Sequence, residues 1–255
     1  RSSIPLAPFQ QKSENGPQLA YKGPKLGEIA AYSDIQEERP IKEDKQRELI
    51  HGYMASVSYV DAQIGLLLDK LEELGIADNT IICLWGDHGF HLGDHGLWTK
   101  HTNFEQAVRS PMIISSPAGF TPSKTNAPVE FVDIFPTLCS LADLDIPKYL
   151  PGKNLVPIMK GSSKSVRHSA MAQYTRGPSR MGYTLRSERY RYVKWIEMKY
   201  YEGEMKGSLI TNELYDYEKD PLETINLADD PKYRRIIAEF EREFKSRNVA
   251  QTRSK

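Results

Sequence analysis

The feature that most constrains the fold is a long helical pattern that leads into an apolar strand. From about Lys42 to Leu74, apolar residues recur in steps of three and four, which predicts an amphipathic helix. Gly75 is the residue type that commonly ends a helix, and Thr80 to Trp85 is then continuously apolar. Such a strand is typical of a parallel sheet that helices cover on both faces, so the sequence predicts the α/β class.

The first part of the chain offers few partners for this strand. A second apolar segment at Pro111 to Ser115 predicts another strand, and Val132 to Leu144 predicts a short helix. Two strands are too few for a covered sheet, because each needs neighbours and a layer of helices. Residues 1 to about 40 are rich in Pro, Gly, Gln and Ser without a period, which predicts a long surface connection. Both observations indicate that the chain is one portion of a larger fold.

A change of composition divides the chain near residue 164. The stretch from Pro147 to Lys164 is rich in Pro, Gly, Ser and Lys, and short aromatic segments of alternating polarity follow it. Their close spacing predicts an antiparallel sheet, and Pro231 to Asn248 predicts an amphipathic helix that covers it. We therefore expect an α/β part at residues 1–164 and a smaller α+β subdomain at residues 165–255. The predicted strands of the subdomain are Ala170–Tyr174, Met181–Arg186, Tyr190–Ile196 and Glu213–Tyr217.

Composition excludes several classes of partner. The 255 residues contain 34 Lys plus Arg and 34 Asp plus Glu, so no net field attracts nucleic acid or an anionic membrane. No run approaches the roughly 20 apolar residues of a membrane span. Cys83 and Cys139 lie in apolar surroundings and are predicted to be buried free thiols. The lack of an Asn-x-Ser/Thr sequence favours a bacterial, periplasmic or secreted protein over a lysosomal one of animal origin.

Chemistry is concentrated in the glycine-rich loop that follows the first strand, at residues 84–100. Ligands of open α/β sheets bind beyond the carboxyl ends of strands, so this loop is the candidate site. Asp87 and His88 stand at the strand end, where they could share a metal ion, although an Asp capping a turn would give the same pattern. Asp94-His95-Gly96 repeats the triplet, and the first copy is favoured because it adjoins the strand. Lys100 could bind an anionic group, although a lone Lys is usually a solvated surface charge.

Several short motifs follow one another along the chain: Tyr53 to Gly65, Gly86-Asp-His-Gly89, Leu92 to Gly96, Trp98-x-Lys100, Val132 to Thr137, Pro151 to Leu155, Glu213 to Asp216 and Asn226-Leu227. In order and spacing they resemble sulfatases of the alkaline phosphatase superfamily, and are most similar to iduronate-2-sulfatase and its bacterial relatives. The resemblance covers nearly the whole chain. It implies part of an alkaline-phosphatase-like sandwich, with a mostly parallel central sheet covered by helices, and a small C-terminal antiparallel sheet with a helix.

The resemblance also implies roles for individual residues. Asp87 and His88 would be ligands of one Ca²⁺ ion, and Lys100 would contact the sulfate group. Because calcium prefers oxygen ligands, His88 could instead hydrogen-bond the nucleophile. His101 and Arg176 are further candidate substrate contacts, since the planar fork of Arg suits a uronate carboxylate or a second sulfate, although a surface Arg on a turn would look the same. The expected substrate is a sulfated carbohydrate, chiefly a 2-O-sulfated uronate of a glycosaminoglycan.

One essential part of the family's machinery is absent from the sequence. Family members make a formylglycine nucleophile from the Cys or Ser of a Cys/Ser-x-Pro/Ala-x-Arg motif, and neither Cys83 nor Cys139 nor any Ser begins such a motif. We therefore expect an upstream segment, or a separate N-terminal chain, to supply the nucleophile and the remaining metal ligands. On this interpretation the chain alone neither binds metal tightly nor turns over substrate.

Two other functions fit the same residues. A phosphodiesterase or phosphonate monoester hydrolase of the same superfamily would use the Asp87-His88 pair to bind zinc or manganese, and only the upstream motif would distinguish it. A degenerate, non-catalytic glycan-binding lobe would keep the fold without the chemistry. Such a lobe would not need Asp87, His88 and Lys100 together.

Overall fold

The computed structural model describes residues 3–21, 27–35, 40–204 and 206–252. The chain forms two compact units, and each unit combines separated stretches of sequence. Unit 1 consists of residues 1–8, 38–87 and 110–166. Unit 2 consists of residues 9–37, 88–109 and 167–255. The break after residue 166 lies close to the expected division, but the two earlier stretches of unit 2 group with the C-terminal part. Parts of the expected N-terminal connection, residues 22–26 and 36–39, lie outside the described residues.

The helices are α1 (Gln18–Tyr21), α2 (Glu43–Glu73), α3 (Glu105–Val108), α4 (Ile134–Leu141), α5 (Val156–Met159) and α6 (Arg234–Ser246). The strands are β1 (Ile82–Trp85), β2 (His91–Leu92), β3 (Trp98–Thr99), β4 (Met112–Ser115), β5 (Ser169–Thr175), β6 (Arg180–Ser187), β7 (Tyr190–Glu197), β8 (Lys206–Asp216) and β9 (Gln251–Thr252). No helix in the described part of the chain is both long and apolar enough to span a bilayer.

The long helix of unit 1 forms as predicted. Gly75, with φ of +64°, follows α2 in the left-handed conformation that a residue without Cβ adopts easily. The Gly75 amide donates to the carbonyl of Glu72, and the Ile76 amide donates to the carbonyl of Leu71. These paired bonds are a Schellman motif, which satisfies the last carbonyls of the helix. The predicted short helix also forms, as α4 preceded by a 3₁₀ turn at Phe131–Asp133.

The predicted burial of the first strand is wrong for the described residues. β1 pairs with β4 in an antiparallel ladder, Ile82 opposite Ser115, and side chains of both strands remain open to solvent. Leu84 is 41% exposed and Ile113 is 60% exposed. Each strand has one neighbour in this unit, so neither can be enclosed as a central strand of a larger sheet would be. Cys139 is buried as predicted, whereas Cys83 on β1 is half-buried, and both thiols are free.

Unit 2 contains the predicted antiparallel sheet and its covering helix. Strands β5 to β8 form a meander, and β9 adds to β8 in parallel. Because side chains alternate along a strand, the sheet buries a different cluster on each face. On one face, Phe240 and Phe244 of α6 pack against Tyr192 and Leu214. On the other face, Val193, Trp195 and Tyr215 pack against α1 and Phe104.

The composition predicted that the N-terminal stretch is a surface connection, but part of it is buried against the sheet. Leu19, Ala20 and Tyr21 are each no more than 9% exposed, and they cover the sheet together with Phe104. A single helical turn is too short to give a periodic pattern in the sequence. Burial against the aromatic face of the sheet, rather than local propensity, holds it in place.

Candidate functional site

The stretch of unit 2 from His88 to Arg109 contains most of the glycine-rich loop and packs on the sheet of that unit. The His95 ring stacks on Phe104, with centroids 4.2 Å apart and planes at 21°, and both side chains are buried. The Asn103 side-chain amide donates to the carbonyl of Gly182 on β6 at 3.3 Å. His95 adopts φ of +56°, which a non-glycine residue takes only when its surroundings impose it. The second Asp-His-Gly triplet thus acts in packing within this unit.

A buried ion pair lies beneath the loop. Arg191 donates to Glu223, both side chains are at most 1% exposed, and Tyr217 donates to the same carboxylate at 2.5 Å. Burial alone would raise the pKa of Glu223, but the charge of Arg191 and the hydrogen bonds lower it to about 2. Nε2 of His95 lies 3.8 Å from the carboxylate, beyond hydrogen-bond distance but close enough for electrostatic attraction. The loop therefore packs on an ion pair, Arg191 with Glu223, that is fully removed from solvent.

His91 is also part of this support. Its Nε2 atom lies 2.8 Å from the hydroxyl of Thr102, and the ring is fully buried. Burial lowers the pKa of His91 to about 3, so the imidazole is neutral at physiological pH. A neutral, enclosed imidazole that bonds to the loop itself fixes loop geometry and is not available to substrate.

Lys100 and His101 converge on one carboxylate. The Lys100 ammonium donates to Oε2 of Glu28 at 2.6 Å, and Nε2 of His101 lies 3.4 Å from Oε1 of the same residue. The hydroxyl of Tyr174 is bonded to Nδ1 of His101 at 2.5 Å, which orients the ring. The hydrogen bond from Lys100 holds the pKa of Glu28 below its usual value. Two of the predicted substrate contacts thus face the same anionic group, at the partly exposed surface of unit 2.

Asp87 and His88 are neighbours at the break between the two units, Asp87 ending one and His88 beginning the other. Nδ1 of His88 lies 2.8 Å from the carbonyl of Gly89. A carbonyl can only accept a hydrogen bond, so Nδ1 of His88 is the donor in this contact.

The metal-ligand roles of Asp87 and His88 can be tested against the donors present. Within residues 3–21, 27–35, 40–204 and 206–252, no three His, Cys, Asp or Glu side chains are grouped as metal ligands. Calcium takes about six to eight oxygen ligands. One carboxylate and one imidazole therefore do not form a calcium site by themselves, and they fit only as part of a larger ligand set.

Arg176 lies in the interior of unit 2 rather than on its surface. It is 7% exposed, and its guanidinium donates to the carbonyls of Leu19 at 2.9 Å and Ala20 at 2.8 Å. It also lies over the rings of Tyr174 and Trp195. Burial lowers the pKa of Arg176 to about 10, which leaves the group charged. In this arrangement the guanidinium of Arg176 is hydrogen-bonded to backbone carbonyls.

Glu28 and Tyr174 were not identified from the sequence. Glu28 lies in the stretch without periodicity, where a single acidic residue carries no signal. It belongs to the site because of a contact 72 residues away along the chain. Tyr174 lies two residues before the predicted substrate contact Arg176, in the segment expected to face the sugar, but the sequence assigned it no role of its own. No local pattern could have identified Glu28.

Comparison with known proteins gives two family matches that together span most of the chain. The sulfatase family matches residues 14–144, and the N-sulphoglucosamine sulphohydrolase C-terminal family matches residues 93–250. A phosphonate monoester hydrolase from Silicibacter pomeroyi superposes with a TM-score of 0.74 at 24% identity, over 97% of this chain and 51% of that one. At that identity the superposition shows only that the two chains share a fold.

Two curated relatives are similar in sequence. Iduronate 2-sulfatase of Mus musculus is 32% identical over 91% of this chain and 54% of its own length. Delta 4,5-hexuronate-2-O-sulfatase of Bacteroides thetaiotaomicron is 32% identical over 77% of this chain and 40% of its own length. The chain thus spans about half the length of the curated relatives it matches.

Proposed function

Because the chain belongs to the sulfatase family, we propose that it forms part of an enzyme that hydrolyses sulfuric esters of carbohydrates. The favoured substrate is a 2-O-sulfated uronate of a glycosaminoglycan, as the names of the two relatives suggest. The observation that carries the proposal is the convergence of Lys100 and His101 on one carboxylate. Two side chains that together hold a carboxylate also suit the oxygens of a sulfate ester.

Lys100 would neutralise the charge of the sulfate oxygens as the ester bond breaks. Its ammonium lies beside His101, where both side chains contact Glu28, so two donors are already close together when substrate binds. His101, oriented by Tyr174, would donate a second hydrogen bond to the same group. His88 would bind the metal ion or hydrogen-bond the nucleophile, a role supported by the resemblance of Gly86-Asp-His-Gly89 to the family motif.

Asp87 would contribute one carboxylate to a calcium site that upstream residues complete. When bound, the ion would supply positive charge for the sulfate oxygens. Asp87 is the more suitable ligand of the pair, because calcium binds oxygen in preference to nitrogen. This role is supported by the position of Asp87 just after β1 and by the resemblance to the family.

Arg176 is proposed to act on the substrate site indirectly. A direct contact would require its guanidinium to leave the carbonyls of Leu19 and Ala20. With those bonds in place, its charge lies over the ring of Tyr174, which in turn bonds His101. We therefore expect Arg176 to stabilise the strand end that carries Tyr174.

An upstream segment, or a second polypeptide, is proposed to carry the nucleophile and to cover unit 1. Most of the apolar residues that recur along α2 are exposed, and Val57, Val60 and Leu67 have 53–68% of their surface open to solvent. Leu84 and Ile113 of the adjoining strands are also exposed. Apolar area of this extent on a monomer usually marks an interface. The longer relatives have enough additional chain to supply it. We propose that the assembled enzyme is periplasmic or secreted, or lysosomal if the source is an animal.

The test is sulfate release from 2-O-sulfated disaccharides by the assembled enzyme, after intact-mass measurement has identified the upstream polypeptide. Lys100→Ala is expected to lower kcat/KM by at least about 100-fold, as loss of one charge-stabilising donor does in other transfers. Lys232→Ala removes an exposed ammonium elsewhere in unit 2 and serves as the matched control. Unchanged sulfate release in Lys100→Ala would remove Lys100 from the site. A sample that contains only a 29.1 kDa species and releases sulfate would refute the need for an upstream part.

A further inference from the structure

The carboxylate of Glu28 occupies the position that a bound anion would share. Its two oxygens face Lys100 at 2.6 Å and His101 at 3.4 Å, while its side chain is 53% exposed. A substrate that approaches Lys100 therefore meets one ammonium and one carboxylate. Tyr174 also borders the group, and the charge of Arg176 is held against backbone carbonyls.

Sulfate and phosphate monoesters differ chiefly in charge. A sulfate monoester carries one negative charge, whereas a phosphate monoester carries about −1.5 to −2 near pH 7, because its second pKa is about 6. The two groups are otherwise closely similar in size and in the oxygens that they present to a binding site. A fixed carboxylate repels the second ion about twice as strongly as the first. An enzyme of a superfamily whose fold also hosts phosphonate chemistry needs some such means of discrimination.

We propose that Glu28 is a specificity-determining residue of the site, whose carboxylate beside Lys100 and His101 disfavours dianionic phosphate monoesters relative to monoanionic sulfate esters. The inference rests on the proposed function, because it assumes that Lys100 and His101 bind the ester group. Glu28 acts by charge alone. Removing this charge raises the affinity for a dianion more than the affinity for a monoanion, whether the anion is a sulfate or a phosphate.

The experiment measures competitive inhibition of the assembled enzyme at pH 8 by three small anions. Phenyl sulfate and methyl phenyl phosphate are monoanions, and phenyl phosphate is a dianion. In Glu28→Gln, the inhibition constant of phenyl phosphate is expected to fall about three- to tenfold relative to both monoanions, the effect of one extra unit charge a few ångströms away in a partly aqueous site. Glu28→Asp keeps the charge and is expected to retain the wild-type ratio.

The matched control is Glu188→Gln, which removes the same charge from an exposed turn between β6 and β7 and should leave all three constants unchanged. An equal change for all three anions in Glu28→Gln would overturn the inference, because Glu28 would then only compete for Lys100. No change for any of them would also overturn it. If the wild type neither released sulfate nor bound phenyl sulfate, the proposed function itself would fail. Intact sulfate release with an unaltered ratio would refute the role of Glu28 alone.

Discussion

Replacing Glu223 by Gln is expected to destabilise unit 2 by about 3 kcal/mol at pH 7. Burial is outweighed by the charge of Arg191 and the hydrogen bonds to the carboxylate, which lower the pKa of Glu223 from 4.5 to about 2, and each tenfold change in proton affinity corresponds to about 1.4 kcal/mol. Loss of one partner from a buried ion pair costs about 3–5 kcal/mol in other proteins, because the remaining charge is left uncompensated. Here Arg191 would remain fully buried beside a neutral amide.

The lowered pKa of Glu223 also fixes the pH dependence. A carboxyl group whose pKa is lowered on folding stabilises the protein above pH 4.5, and this contribution disappears as the pH falls towards 2. The free energies of unfolding of wild type and Glu223→Gln, measured in urea, should therefore differ by about 3 kcal/mol at pH 7 and converge only at about pH 2. Glu218→Gln is the matched control, since its pair with Arg189 lies at the surface, where solvent screens it, and should contribute little. A difference below about 1 kcal/mol for Glu223→Gln, or one that is constant with pH, would refute the reasoning.

Two further predictions concern buried groups around the loop. Burial lowers the pKa of His91 from 6.5 to about 3, so this imidazole stays neutral in the folded protein while the unfolded chain binds a proton below pH 6.5. The free energy of unfolding therefore decreases as the pH falls from 6.5 towards 3. His91→Gln should flatten the acid side of the stability profile by up to about 1.4 kcal/mol per pH unit, and parallel profiles would contradict this. Arg176→Met leaves two buried carbonyls without donors and should cost about 2–4 kcal/mol in urea unfolding. Arg180→Met on the same hairpin, an exposed position, should cost little, and an Arg176→Met protein of normal stability but raised KM would favour direct substrate contact instead.

The elements with strong local patterns could be predicted from the sequence. The period of α2, the glycine that follows it and the alternating strands of unit 2 each reflect one physical preference. The bounds of α2 and of strands β5 to β7 were predicted to within one residue, whereas β8 begins at Lys206, seven residues before the predicted start at Glu213. The candidate loop was identified because its residue types are unusual for packing. The chemical roles of Asp87, His88 and Lys100 in that loop stay predictions.

What the sequence did not reveal depends on contacts between distant residues. Glu28 faces Lys100 only because the N-terminal stretch packs on the sheet, and a single turn such as α1 leaves no periodic signal. The exposure of β1 was likewise not predictable, because a continuously apolar strand has the same pattern whether or not its neighbours are present. The buried pair of Arg191 and Glu223 was missed for a related reason, since charged residues are rarely enclosed and their sequence positions predict solvent exposure.

The assembly of unit 2 from three separated stretches affects how the protein can be made in the cell. Ser13 bonds a residue 210 positions later, and Arg176 bonds one 157 positions earlier. A chain leaving the ribosome at about 5–20 residues per second exposes its early aromatic residues for many seconds before their partners emerge. Nascent chains that stall before Glu223 would present the Lys100 loop without its ionic support, and we expect them to depend on chaperones or to be degraded.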